Sequence, residues 1–229
     1  DDFLKAELRP DTQIVINPES ERLQVLEPFS AWDNNEMEEL KILLKAKGKC
    51  TTDHVSPAGP WLKYRGHLEN ISQNMYSGAL NAFTESNGEA INLISGNTEN
   101  IYEVSKTYKE NKINWVAVAD ENYGEGSSRE HAAMEPRFMG CKIVLAKSFA
   151  RIAQTNLKKQ GIIPVIFKNK NDYEKIEAND TISTLNLTEF DSETNLKLSL
   201  NKPDGSSFVI ETIHTFSKNQ VGWFKAGSA

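Results

Sequence analysis

The 229-residue chain carries 26 Lys and Arg against 32 Asp and Glu, a formal net charge of -6, with 38% hydrophobic and 25% charged residues. That balance fits a globular chain long enough to bury a core. It excludes the basic field that holds nucleic acid or an anionic membrane, and no apolar run approaches the roughly 20 residues of a membrane span.

The length allows one large domain or two small ones. Residues 1–25 mix proline, charge and isolated apolar positions, as in Leu8-Arg9-Pro10-Asp11 and Asn17-Pro18-Glu19, and read as a linker or extended arm. A start at Asp1 without methionine or signal peptide reads as a processed or truncated chain. The folded unit is expected over residues 26–229. Its first strand, Leu40 to Ala46, runs into a loop, Gly48-Lys49-Cys50-Thr51-Thr52-Asp53-His54. The loop continues through glycine- and proline-rich sequence to Arg65, and such segments on a rigid scaffold carry function. Asp53 and His54 read either as a site pair or as a local cap and a surface histidine. Arg65 is either a ligand group or a solvated charge, and Asp53 is placed to orient it by an ion pair.

His67 to Ala82 and Ser95 to Asn111 have helical spacing. In the first, Asn70, Asn74 and Asn81 are either ligands or ordinary helix residues. Trp115 to Asp120 is a strand by composition, followed by Asn122-Tyr123-Gly124-Glu125-Gly126-Ser127-Ser128-Arg129-Glu130-His131 and a helix from Glu130 to Met139. A strand at Lys142–Ala146 follows, then a helix at Ser148–Leu157 closed by Lys158, Lys159 and Gly161, and a strand at Ile162–Phe167. Arg151, in the first turn of that helix, is a secondary site candidate. Strand–helix–strand alternation implies a parallel sheet. The tail adds a hairpin around Lys202-Pro203-Asp204-Gly205 and a short helix at Lys218–Ala226. Cys50 and Cys141 match no metal spacing and read as reduced thiols.

The stretch from Asn122 to His131 reads as an anion site. Its two glycines let the backbone turn or approach a ligand. The first amides of the helix have no intrahelical acceptor and share the positive end of its dipole. Arg129 can grip a carboxylate through two parallel hydrogen bonds, and Ser127 and Glu130 have capping-box spacing. The bland alternative is a tight loop before a capped helix. The stretch is neither a dinucleotide fingerprint, nor a phosphate loop, nor a hydrolase elbow.

Cys50-Thr51-Thr52-Asp53-His54, Gly59-Pro60-Trp61-Leu62-Lys63-Tyr64-Arg65-Gly66-His67 and Tyr123 to His131 together resemble the C-terminal domain of mitochondrial-type aconitase. The resemblance runs from about Leu23 to the end of the chain. It implies an α/β fold, a swivelling β/β/α three-layer domain with a parallel βαβ core and an additional β hairpin. It also implies reversible citrate and isocitrate isomerisation through cis-aconitate, a hydro-lyase step of the tricarboxylic acid cycle. By resemblance, Ser127 is the catalytic base, and Arg65, Ser128, Arg129 and Asp53 form the substrate-binding set. The family's 4Fe-4S cluster is held by cysteines of another domain that this chain does not contain. The implied partners are the tricarboxylate substrate and the N-terminal aconitase domains, without which little activity is expected. The implied compartment is the mitochondrial matrix, with the cytoplasm as the other possibility. Two alternatives stay open. One is the small subunit of a two-chain isopropylmalate or homoaconitate isomerase. The other is a non-catalytic binding module; some aconitase relatives bind RNA, against which the net charge counts.

Overall fold

Apolar patterning decides where the elements form, and a computed structural model describes them over residues 8–229. In chain order they are β1 (Leu40–Ala46), α1 (Thr52–Val55), α2 (Leu68–Ile71), β2 (Leu80–Asn81), β3 (Ser86–Asn87), β4 (Glu89–Ile91), β5 (Thr98–Asn100), α3 (Ile101–Glu110), β6 (Trp115–Ala119) and α4 (His131–Phe138). The second half holds β7 (Cys141–Ala146), α5 (Arg151–Lys159), β8 (Ile163–Phe167), β9 (Thr181–Thr184), β10 (Lys197–Asn201), β11 (Ser207–Ile213) and α6 (Lys218–Ala226). The expected parallel core, hairpin and closing helix are all present. The helix expected over His67–Ala82 is one α-turn and a short 3₁₀ turn before β2, and the one expected over Ser95–Asn111 begins only at Ile101. In both, helical spacing of apolar residues was produced by turns packing on a common core. Of the expected arm, residues 1–7 lie outside the described residues.

β1, β6, β7 and β8 pair in parallel. β8, β11, β10 and β9 follow antiparallel. The sheet does not stay an open layer as expected for a three-layer domain. Leu40 and Lys41 of β1 pair antiparallel with Ile182 and Thr181 of β9, closing a seven-stranded barrel. The far end of β1 instead pairs with β2, Ala46 opposite Asn81. A register shift between Ile42 and Leu44 lets one strand serve both edges. Such irregularities raise local twist and help a sheet curl shut.

Closure splits the apolar residues into two cores. Leu40, Ile42, Val116, Val118, Ile143, Leu145, Ile163, Val165, Ile182, Leu198, Leu200 and Ile210 fill the barrel with Phe190 and Phe224. Alternate residues of the parallel strands, including Trp115, Ala117, Ala119, Val144 and Ala146, face outward against the segments around α1 to α4. β6 is therefore buried on both faces, which is why Trp115-Val116-Ala117-Val118-Ala119 carries no polar residue.

The arm before β1 is sewn down by polar contacts. The Glu36 carboxylate accepts hydrogen bonds from the Thr184 hydroxyl, the Leu187 and Thr188 amides and the Thr188 hydroxyl. Burial pushes its pKa up, but these bonds outweigh it and hold the group below its ordinary value. Trp32 stacks at 5.3 Å on Phe224 of α6.

Gly124, between β6 and α4, has φ +77°, and an added Cβ would lie 2.2 Å from the Cβ of Ala153 on α5. Gly48 has a similar φ of +69° but nothing within 4 Å. Gly124→Ala should thus cost roughly 2–4 kcal/mol, strain plus overpacking, and Gly48→Ala roughly 1 kcal/mol. Urea unfolding of the two variants side by side checks this. Equal midpoints would show that the contact with Ala153 relaxes freely.

Candidate functional site

Because β1 and β6 are parallel, the loops that leave them emerge at one end of the barrel, and they are knitted by main-chain bonds. The Gly124 amide donates to the Cys50 carbonyl at 2.7 Å, and the Thr52 amide to the Glu125 carbonyl at 2.9 Å. The loop after β7 joins them, with the Tyr123 amide on the Ser148 carbonyl and the Ala150 amide on the Tyr123 carbonyl. Beneath, the Tyr76 and Tyr123 hydroxyls share a hydrogen bond of 2.7 Å inside the core, and burial lifts both well above the ordinary tyrosine value.

The helix α1 is one turn long and begins with a reciprocal cap. The Thr51 side chain accepts from the His54 amide, and His54 returns a bond to the Thr51 amide. His54 is thus a capping residue. So short a helix pairs the Thr52 carbonyl with the Ser56 amide at 2.9 Å and leaves the Ser56 carbonyl without a main-chain partner among the described residues, and Arg129 bonds both. Its Nη1 donates to the carbonyl of Thr52 at 3.1 Å, to that of Ser56, and to Asp53 Oδ1 at 2.8 Å. The Asp53 side chain is 68% exposed, so its ion pair is worth under about 1 kcal/mol. The buried carbonyls supply most of the hold. Asp53 therefore serves Arg129, and the ion pair with Arg65 expected from the sequence does not form.

Arg65 follows the 3₁₀ turn Gly59–Tyr64, and its Nε rests on the Leu62 carbonyl at 3.3 Å. His131 Nε2, at the first residue of α4, donates to the Arg65 carbonyl at 3.0 Å. That bond ties the two motif loops together from the other side. Between them lies a cleft of about 370 Å³ lined by Arg65, Ser127, Ser128, Arg129, Glu130 and His131 with the residues around Ser56 and Leu62. Four of the five site residues expected from the sequence therefore share one cleft, and Asp53 touches it through Arg129. Arg151 lies outside it, exposed at the start of α5. Asn70, Asn74 and Asn81 are structural: their side-chain amides donate to the carbonyls of Glu21, Pro57 and Glu89.

The capping box expected for Ser127 and Glu130 is absent. Glu130 is itself the N-cap of α4 and makes no side-chain cap bond, and the Ser127 carbonyl accepts the Arg129 amide at 2.7 Å. Gly126, at φ +115°, and Arg129, tied back to α1, keep residues 126–129 off the helical path. Both serine hydroxyls are consequently exposed and have no partner among the described residues, nor do the amides of Ser127, Ser128 and Glu130. Two guanidinium groups, two hydroxyls and unpaired amides around one cleft have the donor chemistry that a carboxylate would need.

Glu135 and Ser56 were not singled out by sequence reasoning. Glu135 is 0% exposed on α4, and Ser56 Oγ donates to its Oε1 at 2.7 Å. Burial drives the Glu135 carboxyl well above its ordinary value, against the Ser56 hydrogen bond and the Arg129 charge, which pull it down. The only sequence signal was an acidic residue in the small, apolar run Ala132-Ala133-Met134-Glu135-Pro136.

No group of three or more His, Cys, Asp or Glu residues among those described is placed to hold a metal ion. Cys50 and Cys141 are buried in the core, where burial pushes both thiols up to about 12. Cluster ligation needs several thiolates converging on one point, so two buried thiols held protonated do not fit an iron–sulfur centre.

Residues 40–170 match the family model of the aconitase C-terminal domain. The "Probable aconitate hydratase, mitochondrial" of Caenorhabditis elegans is 49% identical over 217 residues, 95% of this chain and 28% of that protein. The "Aconitate hydratase, mitochondrial" of Schizosaccharomyces pombe is 51% identical over 220 residues, 94% and 28% respectively. The "Homocitrate dehydratase, mitochondrial" of Saccharomyces cerevisiae is 48% identical over 228 residues, 96% and 29%. The chain thus spans under a third of the length of these relatives. Among solved structures, a 3-isopropylmalate dehydratase from Methanocaldococcus jannaschii matches with a TM-score of 0.51 at 22% identity, over 82% of this chain and 89% of that one. At that identity the likeness speaks to the fold alone.

A buried carboxyl with a raised pKa contributes its full stability below the unfolded value, near 4.5 for Glu135, and loses it as pH rises toward the folded value. Glu135→Gln keeps an acceptor for Ser56 without that cost. The stability of the variant relative to the unsubstituted protein should rise by about 1.4 kcal/mol per pH unit above pH ~4.5. Urea unfolding from pH 4 to pH 7 reads this. A pH-independent difference would place the Glu135 pKa at its ordinary value.

Proposed function

The chain belongs to the aconitase C-terminal domain family, and from that premise we propose that it is the base-bearing half of an aconitate hydratase site. The reaction is the reversible isomerisation of citrate and isocitrate through cis-aconitate, as a hydro-lyase of the tricarboxylic acid cycle in the mitochondrial matrix. The observation that carries the reading is the cleft itself, with Ser127 and Ser128 beside the guanidinium groups of Arg65 and Arg129. In this reading residues 1–25 connect to preceding domains, and residues 26–229 form the domain that closes over them.

Arg129 presents Nε and Nη2, free of partners among the described residues, because Nη1 carries all three of its bonds to α1. That leaves a two-donor edge, the geometry that pairs with a carboxylate. The Ser128 hydroxyl and the unpaired amides of Ser127, Ser128 and Glu130 complete that contact, and Arg65 takes a second carboxylate across the cleft. Asp53 keeps Arg129 in place. Ser127 takes the proton from the substrate carbon onto Oγ. A serine does this only as an alkoxide, and the nearby cationic groups and helix-start amides are what stabilise that charge. The family's 4Fe-4S cluster, held by cysteines outside this chain, supplies Lewis-acid chemistry at the departing hydroxyl. The yeast homocitrate dehydratase, at 48% identity, makes a substrate one methylene longer the second reading.

In the full-length enzyme, Ser127→Ala should lower kcat by about 10²–10⁴-fold with KM within a few-fold of normal. An unchanged kcat would remove Ser127 from the role of base. Titration of this chain with tricarballylate, followed by amide NMR, should move residues 124–131 and fail to do so in Arg129→Ala. Equal shifts in both proteins would place the carboxylate elsewhere.

A further inference from the structure

Three acidic residues are buried among those described: Glu135, Asp172 and Asp180. Asp172 and Asp180 each have a lysine nitrogen at 2.9 Å, from Lys175 and Lys202. Glu135 has no cation in ion-pair range among the described residues. Its one hydrogen bond comes from Ser56, and its Oε2 is buried without a partner among the described residues. A carboxyl so placed is a stability cost, and burial holds its proton on. Its position suggests what it does. Ser56 is the residue whose carbonyl receives Arg129 Nη1, at the C-terminal end of a helix only one turn long.

From this geometry we propose that Glu135 is a positioning residue, acting through Ser56 to aim Arg129 into the cleft. The contact forms a closed circuit. Arg129 reaches from the start of the α4 segment to the Ser56 carbonyl on α1, and the Ser56 hydroxyl returns to Glu135 within α4. Pro57 follows Ser56, so no amide of the next residue anchors that peptide. Its orientation is set by the Ser56 amide on the Thr52 carbonyl at 2.9 Å, by the Ser56–Glu135 side-chain bond, and beyond it by Asn74, whose side-chain amide donates to the Pro57 carbonyl at 2.9 Å. Without the Glu135 bond, the only side-chain tie on Ser56 among the described residues is gone, its carbonyl can tilt about the remaining main-chain bond, and the contact from Nη1 to that carbonyl weakens. Arg129 then keeps Asp53 and Thr52, of which Asp53 is largely in water. A guanidinium fork loses bidentate pairing when its plane turns by a few tens of degrees.

The proposal rests on the carboxylate-binding reading of Arg129 for its functional meaning, but its structural content is tested separately. Selective ¹⁵N labelling of arginine gives the Arg129 Nε–H signal, which reports the setting of the guanidinium with no ligand present. Glu135→Leu removes the acceptor, Ser56→Ala removes the donor with little change in volume, and Glu135→Gln retains the hydrogen bond. The Leu and Ala variants should shift or broaden the Arg129 signal and weaken tricarballylate binding by about tenfold. The Gln variant should leave both as in the unsubstituted chain. The Ser56→Ala/Glu135→Leu double variant should cost no more than either single one. An unchanged Arg129 signal in Ser56→Ala, or a Gln variant as impaired as Leu, overturns the proposal. If Glu135→Leu fails to fold, Ser56→Ala and Glu135→Gln still decide it. Absence of tricarballylate binding by the unsubstituted chain would count against the carboxylate reading, while the Arg129 signal would still decide the positioning role.

Discussion

Strands β1 and β6 run parallel with Ala46 opposite Ala119, so the chain leaves both at the same end of the barrel. Everything at the site depends on that pairing. The loop carrying Cys50 to Arg65 and the loop carrying Tyr123 to Arg129 are far apart in sequence, yet Gly124 bonds Cys50 and Thr52 bonds Glu125 through main-chain hydrogen bonds at 2.7–2.9 Å. Ligand sites in parallel sheets gather at the carboxyl ends of the strands for this reason. An antiparallel arrangement of the two strands would have put the serines and Arg65 at opposite ends of the molecule.

Within that frame, the cleft is organised by unsatisfied backbone groups. Arg129 draws its setting from two carbonyls at the one-turn helix α1, that of Thr52, which it shares with the Ser56 amide, and that of Ser56, which has no main-chain partner among the described residues. The start of α4, lacking a side-chain cap, leaves amides unpaired on the facing side. One terminus thus anchors the cation and the other extends the field for an anion. Both deficits would be defects in a purely structural segment, and here they face one cleft.

Pairing of β1 on both edges gives the site end its stiffness: Ala46 lies between Ala119 of β6 and Asn81 of β2, while barrel closure holds the other end of the strand. β1 is held by β6 along one edge and by β9 and β2 along the other, and the two cores meet through its backbone. The loops therefore hang from a strand with little freedom to shift. Their own contacts are of another kind: polar, short and partly in water, with Arg65 and both serines exposed. A rigid base with an open upper surface is compatible with the proposed role of a domain that closes over others, in a chain that spans only part of the length of its relatives.

The sequence by itself determined the local parts. Apolar-rich runs marked β1, β6, β7 and β8, unbroken in β6 and β8 and interrupted only by Lys41, Lys45 and Lys142 in β1 and β7, because strands buried on both faces favour apolar residues. Pro203 and Gly205 marked the hairpin, and Gly124, Gly126 and Arg129 marked a turn whose residue types suit the proposed anion site. Serines, arginines and glycines in that order carry their chemistry in their own covalent structure, so the character of the site was legible before any fold was known. Tertiary structure decided the rest. Apolar spacing over His67–Ala82 suggested a helix, but a shared core made a turn and a short strand satisfy it equally well. Asp53 stood twelve residues before Arg65 and was expected to pair with it, whereas the parallel loops set it against Arg129 instead. Glu135 and Ser56 gave almost no signal, because what matters about a buried carboxyl is what surrounds it. Sheet closure was equally hidden, since a barrel and an open sheet have the same alternation along each strand. Propensity and side-chain chemistry act over a few residues. Partner choice, burial and closure are settled by groups far apart in the chain, which only the folded backbone brings within bonding distance.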